Sequence, residues 1–278
     1  GKGANIAVAA ARITGGGRVA LLASLGMDSI GDMQIQVLRE EGVSTEAVKR
    51  IRDVESGQAY IVIDRDGRNV IHTHFGANKM LSASDIRSPK VQSIIENCKV
   101  AVIVDPPLDA LTEAIKIAWR AERIVIWHPG VRSTLGIERL RETLARIDYL
   151  VLNKPELENI ASTPSIDDAY RKLRRINREI SLIVTLGEEG CTFINQKKQF
   201  RLEGINLKKY GLKAVNTVGC GDAFLGVFAA YKAEGYSDEE ALRMANAAGA
   251  FKATRFETRG SPTKSELEAF LKRIEGEA

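Results

Sequence analysis

Between Val100 and Leu186 the chain repeats one pattern, a short and wholly apolar run followed by a longer amphipathic one. Val100–Val104, Ile124–Trp127, Tyr149–Leu152 and Leu182–Leu186 read as strands. Leu111–Arg120, Ile137–Arg146 and Ala169–Asn177 read as the helices between them. A strand that is apolar at every position has no face for water, and strands joined through helices run parallel. The pattern therefore predicts an α/β fold, a central and mostly parallel sheet covered by helices. Ligands of such sheets gather outside the carboxyl ends of the strands. Here those ends carry Asp105, His128, Asn153 and the group Thr185-Leu186-Gly187. Gln196-Lys197-Lys198 reads as a turn between two further short strands, Cys191–Asn195 and Gln199–Leu202.

The flanks are different. Residues 4–13 are small and apolar, the composition of a helix packed closely on its neighbours, and Gly15-Gly16-Gly17 ends it. Val19–Leu25 reads as a buried strand, Gly26–Asp32 as a turn and Met33–Glu41 as an amphipathic helix stopped by Gly42. Two β-rich runs, Gln58–Asp64 and Arg68–Phe75, are joined by Arg65-Asp66-Gly67, a hairpin signal. Tyr60, Ile61, Val62 and Ile63 put apolar groups on both faces of that hairpin, which must then be covered from outside. His72 and His74 share one face, but no third metal ligand is near, so they read as ordinary strand residues. Toward the C-terminus, Phe224, Leu225, Phe228 and Tyr231 mark one apolar helix face. An alanine-rich helix over Asp238–Thr254 and an amphipathic one over Lys264–Arg273 follow, with the loop Arg259–Thr263 between them.

Composition excludes several classes. A chain of 278 residues with 44% apolar content holds one large α/β domain or two small ones. Forty basic against 36 acidic residues, with no dense basic run, argues against nucleic acid as a partner. Three widely spaced cysteines, Cys98, Cys191 and Cys220, suit free thiols in a reducing cytoplasm. No apolar run is long enough to span a membrane.

The chemistry is expected in Asn216-Thr217-Val218-Gly219-Cys220-Gly221-Asp222-Ala223-Phe224. A glycine-bearing turn feeds a helix whose first amides have no intrahelical partner. Gly219 and Gly221 lack a Cβ, so the backbone bends tightly and a ligand approaches it closely. Bare amides at the positive end of a helix suit phosphate, and Asp222 beside them suits a base for an attacking hydroxyl. Taken alone, the stretch is also compatible with an ordinary helix start carrying Asp in its first turn.

This segment resembles the C-terminal signature of the ribokinase-like (PfkB) sugar kinases. Gly1-Lys2-Gly3-Ala4-Asn5, with Ala7–Arg12 after it, resembles that family's N-terminal signature in its ribokinase form. Two signatures in the right order are far more specific than either alone. The resemblance implies a three-layer ribokinase-like fold, with residues 1–43 and 78–278 as the kinase domain. Residues 44–77 would form a small β lid that covers the sugar and pairs with a second subunit in a homodimer. In the family the first motif follows an initial strand and part of the lid, so those are expected outside this sequence.

Site roles carried over by the resemblance are as follows. Asp222 is the catalytic base, and Gly219, Cys220 and Gly221 form the anion hole. Gly1, Lys2, Gly3, Asn5 and Asp105 contact the sugar, together with Asp222. Asn153, Thr185, Leu186, Gly187, Gly190, Gly221 and Asn246 lie along ATP, while Glu188 and Glu189 point away from its phosphates. Glu156 orders the waters around Mg²⁺, an ion that keeps several of them. Asn216 and Val218 flank a possible site for K⁺. The chain departs from the family pattern at Asn216, where aspartate is typical, which puts K⁺ activation in question. Cys220 replaces an alanine, and a helix N-terminus there favours a thiol of lowered pKa, open to thiol reagents, with a buried and inert thiol as the alternative. Asp105 is shorter than the usual glutamate, and Ile6 stands for a glutamine. The implied activity is ATP-dependent phosphorylation of a sugar's primary hydroxyl, D-ribose to ribose 5-phosphate. A nucleoside or another sugar is the alternative acceptor, and a non-catalytic sugar- or nucleotide-binding protein is the alternative of another class.

Overall fold

The protein, seen in a computed structural model, is described over residues 1–63 and 69–276. It forms two compact units, Gly1–Leu81 with Asn206–Ala278, and Ser82–Ile205.

The first unit begins with a helix over Lys2–Thr14, in which Asn5 through Ala11 and Ile13 are buried. Its small side chains are explained by Gly226. A Cβ at Gly226 would come within 2.5 Å of Ile6 O and 2.6 Å of the Ala9 Cβ, so the two helix backbones touch there. Gly15, at φ 86°, ends the helix in a conformation that L-residues avoid.

The single strand expected over Val19–Leu25 is two. β1 (Val19–Ala20) pairs in parallel with β3 (Val43–Ser44), and β2 (Ala23–Gly26) with β4 (Val48–Ile51). The run changes partner at Leu21-Leu22, which a uniformly apolar stretch cannot announce. The following helix spans Ser29–Glu40 and starts earlier than its apolar spacing suggests. Asp28 is the reason, since its carboxylate accepts from Gly31 N at 2.7 Å and caps the first turn.

β5 (Gln58–Ile63) and β6 (Asn69–His74) form the hairpin, with Ile61 opposite Ile71 and Val62 opposite Val70. The turn Arg65-Asp66-Gly67 lies outside the described residues. Tyr60, Val62, Val70 and Ile71 are exposed, so apolar groups stand on both faces. His72 pairs with Tyr60, and His74 Nε2 lies 3.8 Å from Glu55. Among the described residues no His, Cys, Asp and Glu cluster could hold a metal.

The second unit holds a six-stranded sheet in the order β12-β11-β10-β9-β8-β7. β7 (Val100–Val104), β8 (Ile124–His128), β9 (Tyr149–Asn153) and β10 (Ser181–Thr185) run parallel. β11 (Gly190–Ile194) and β12 (Gln199–Glu203) extend it as an antiparallel hairpin. Val125, Ile126, Trp127, Leu150, Leu152 and Leu182 to Val184 are wholly inaccessible, as strands covered on both faces require.

Helices at Leu108–Arg120, Lys154–Ala161 and Ile166–Arg174 connect the strands. The continuous helix expected over Ile137–Arg146 is instead two turns, Gly136–Arg139 and Arg141–Leu144. They break at buried Leu140, whose N–H bonds Ile137 O in a tight 3₁₀ step.

The chain then returns to the first unit with helices Cys220–Ala233, Asp238–Ala253 and Lys264–Gly276. Among the described residues, no helix is long and apolar enough to cross a membrane.

Candidate active site

Gly219 caps the Cys220–Ala233 helix at φ 90°, a left-handed turn that aims the chain into the first helical residues. A side chain there would also strike the carbonyl of Thr258. Gly221 is different. A Cβ at Gly221 would meet no protein atom within 4 Å, so its bare backbone leaves open space beside the helix start. Asp222 follows in the first turn and is half-buried. Amides, dipole and open space thus coincide with a carboxylate, as phosphoryl transfer to an alcohol requires.

Asn5 connects the two signatures. Its Nδ2 donates to Asp222 Oδ2 at 2.8 Å across 217 positions of sequence. Its Oδ1 accepts from Arg259 Nε at 3.0 Å, which fixes which way the amide faces. Arg259 in turn donates to Gln34, and Arg12 Nη1 holds the Arg259 and Ser261 carbonyls at 3.1 and 2.5 Å. Arg12 is paired with Glu41 at 2.5 Å, so the Asp222 carboxylate sits at the end of a braced polar chain. Asn5, expected as a sugar contact, orients the Asp222 carboxylate in the structure. Gly1, the N-cap, and Lys2 are exposed at the start of the same helix, and Gly3 is half-buried.

Cys220 corrects an expectation. Burial pushes its thiol up to about 11, with Lys252 pulling it back and Asp222 adding to the rise. A helix N-terminus alone suggested the opposite, because sequence does not reveal that the thiol is half-buried.

Asn216, assigned with Val218 to a monovalent cation, carries hydrogen bonds of its own. Asn216 Oδ1 accepts from Val218 N at 2.9 Å, and Asn216 Nδ2 donates to Phe256 O at 2.7 Å. The Asn216 carbonyl accepts from Lys252 Nζ at 2.9 Å. Lys252 Nζ thus places a cationic group on the carbonyl oxygen of a residue assigned to K⁺. Sequence inspection missed Lys252, although a signal existed. Ala241, Ala245, Ala248 and Lys252 form one buried helical stripe, in which a lysine is out of place.

In the second unit the parallel register sets the polar strand ends in a row. Thr185 stands opposite Asn153, and His128 opposite Val104, the residue before Asp105. Asn153 and Glu156 cap one helix reciprocally. Glu156 N donates to Asn153 Oδ1 at 2.9 Å, and Asn153 N to Glu156 Oε2 at 3.0 Å. His128 Nδ1 lies 3.6 Å from the buried Glu156. Asp105 sits at φ 48°, strained for a non-glycine residue, with its carboxylate against Gly130. Leu186, Gly187 and Gly190 make a tight turn closed by Leu186 N to Gly190 O at 2.8 Å. Glu189 is exposed and paired with Lys154 at 3.1 Å and Arg201 at 3.2 Å, and Glu188 is exposed. In the first unit, Asn246 lies half-buried on the Asp238–Ala253 helix.

Residues 1–265 match the model of the pfkB family carbohydrate kinases. The chain is similar to the ribokinase of Haemophilus influenzae, 30% identical over 98% of this chain and 86% of that protein. It is 29% identical to a deoxyribokinase of Salmonella typhi over 98% and 87% of the two chains. It is 28% identical to a probable fructokinase of Arabidopsis thaliana over 98% and 82%. Among solved structures, ribokinase from Thermotoga maritima superimposes with a TM-score of 0.85 at 28% identity, over 98% of this chain and 87% of that one. Arabidopsis thaliana ribokinase complexed with ribose and ATP superimposes at 0.87 with 27% identity and the same coverage.

Proposed function

Because this chain belongs to the pfkB family of carbohydrate kinases, we propose that it transfers the γ-phosphoryl group of MgATP to the primary hydroxyl of a sugar, with D-ribose the favoured acceptor. The observation that carries the reading is the bond from Asn5 to Asp222, which joins the two signatures at one carboxylate. Asp222 takes the proton from the sugar hydroxyl as the oxygen attacks phosphorus. The amides of Gly219 to Asp222 receive the charge that builds on the transferring group, in the space that Gly221 leaves open. Gly1, Lys2, Gly3 and Asp105 are the sugar contacts in this reading, joined by the amide hydrogen of Asn5 not used on Asp222.

Asn153, Thr185, Leu186, Gly187, Gly190 and Asn246 serve ATP. Pairing of Glu189 with two cations supports a turn that does not repel the phosphates. Glu156 caps its helix through Oε2, leaving Oε1 for water around the magnesium of MgATP. The exposed apolar residues of the β5–β6 hairpin support its role as a lid that also pairs with a second copy. Val62→Glu should turn a sedimenting dimer into a monomer, and a wild-type monomer would defeat that assignment.

The test is a coupled ADP assay over ribose, deoxyribose, fructose and nucleosides, with Asp222→Asn beside wild type. Removing the base should lower kcat by about 10²–10⁴ and leave ATP affinity nearly unchanged. Unaltered turnover in Asp222→Asn defeats the mechanism. Similarity to a deoxyribokinase and a fructokinase makes another sugar the second reading, and a preference for it over ribose would establish that acceptor. A protein that binds sugar and ATP but turns over none of the panel would be the non-catalytic alternative.

A further inference from the structure

Lys252 lies in an alanine-rich helix, and its side chain is wholly inaccessible to solvent. Burying an ammonium costs several kcal/mol unless its hydrogen bonds are replaced. Here its Nζ donates to Asn216 O at 2.9 Å and reaches Arg255 O at 3.4 Å. Both acceptors are backbone carbonyls, the groups that elsewhere coordinate potassium.

The same two segments are joined by further bonds. Val215 N and Asn216 N both donate to Ala253 O, at 2.7 and 3.2 Å, and Asn216 Nδ2 donates to Phe256 O at 2.7 Å. Gly219 packs on Thr258. Three residues after Asn216 comes the helix start that carries the bare amides. Its first turn is continuous with this clamp through Cys220 N to Thr217 O at 3.2 Å.

We propose that Lys252 is the built-in monovalent cation of this loop, a positioning residue whose ammonium sets the anion hole so that no diffusible potassium ion is needed. Burial draws the lysine's pKa down, while the carboxylates of Glu257 and Asp222 oppose the fall and favour the charged form. The inference uses the kinase reading for its turnover measurement but not for its second readout.

Wild type, Lys252→Met and Lys252→Ala are compared at constant ionic strength in KCl, NaCl and tetramethylammonium chloride. Wild-type turnover should agree within about twofold across the three salts. Lys252→Met should lose at least ~10-fold in kcat, with the KM for ATP less affected. Lys252→Ala, which opens room for an ion, should regain turnover as KCl rises but not with bulky tetramethylammonium. Deuterium exchange at amides 215–222 needs no acceptor sugar. Protection there should be insensitive to salt in wild type, lost in Lys252→Met and restored by KCl in Lys252→Ala.

Stimulation of wild type by K⁺ of more than about tenfold over tetramethylammonium overturns the proposal. So do wild-type turnover and protection in Lys252→Met, or a loss that is the same in every salt for both variants. If neither variant folds, the salt response of wild-type exchange and turnover decides. If no sugar is turned over, the kinase reading fails, and the exchange measurement still decides the role of Lys252.

Discussion

At the scale of single residues the anion hole gives an unusual pair of neighbours. Cys220 and Asp222 are two positions apart, yet burial weighs on the thiol while the carboxylate accepts from Asn5. With its thiol pushed up to about 11, only about one part in a thousand of Cys220 is thiolate at pH 8. Alkylation with iodoacetamide at that pH should therefore be roughly a hundredfold slower than for an ordinary cysteine, and Cys220→Ala should keep turnover within about threefold. Rapid inactivation traced to Cys220 by mass spectrometry would contradict this. The left-handed turn at Gly219 and the open space at Gly221 were legible in the sequence, because backbone freedom is a property of the residue itself. The thiol's burial was not legible there, nor were the partners of Asn5. Those depend on groups such as Arg259 and Lys252, brought close only by folding.

At the scale of elements, two glycines of one helix should behave oppositely. Gly226 lies where the Lys2–Thr14 helix backbone makes contact, so Gly226→Val must push the helices apart. A loss of about 1–3 kcal/mol, read from the denaturation midpoint, is expected. At Gly221 a methyl meets no protein atom, so Gly221→Ala should leave stability intact or slightly raised. Its turnover should nevertheless fall, since the methyl occupies the space proposed for the phosphoryl group. Equal stability losses in both variants would refute this division.

Strands and helices were foreseeable wherever burial was continuous, as in β8 to β10, because their apolar runs leave no alternative. Foresight failed where one apolar run serves two partners, at Val19–Leu25. It failed again where a single buried side chain interrupts a helix, at Leu140.

At the scale of the whole molecule, stability should fall in acid for a nameable reason. Asp28 accepts from Ser56 Oγ and Ser56 N, both at 2.6 Å, and from Gly31 N. These bonds hold its carboxyl below the ordinary value of 3.8, the Ser56 hydroxyl contributing most. A depressed folded pKa means that the contribution is complete above the unfolded value of 3.8 and is lost as pH falls through the folded one. Glu266, lowered chiefly by Thr263 N, acts in the same sense. Asp148, raised by burial, acts against it. Melting temperatures measured from pH 6 down to 3 should drop more steeply in wild type than in Asp28→Asn. Parallel curves would remove Asp28 from the explanation.

The contact between Gly226 and the first helix also limits how this enzyme can be recombined. A chimaera that takes residues 1–14 from a relative takes one half of a mating surface and leaves the other behind. The graft will seat only if the donor's counterparts of Ile6 and Ala9 tolerate a bare glycine opposite. If they do not, Asn5 comes away from Asp222, and that carboxylate loses its guide although every residue around it is unchanged.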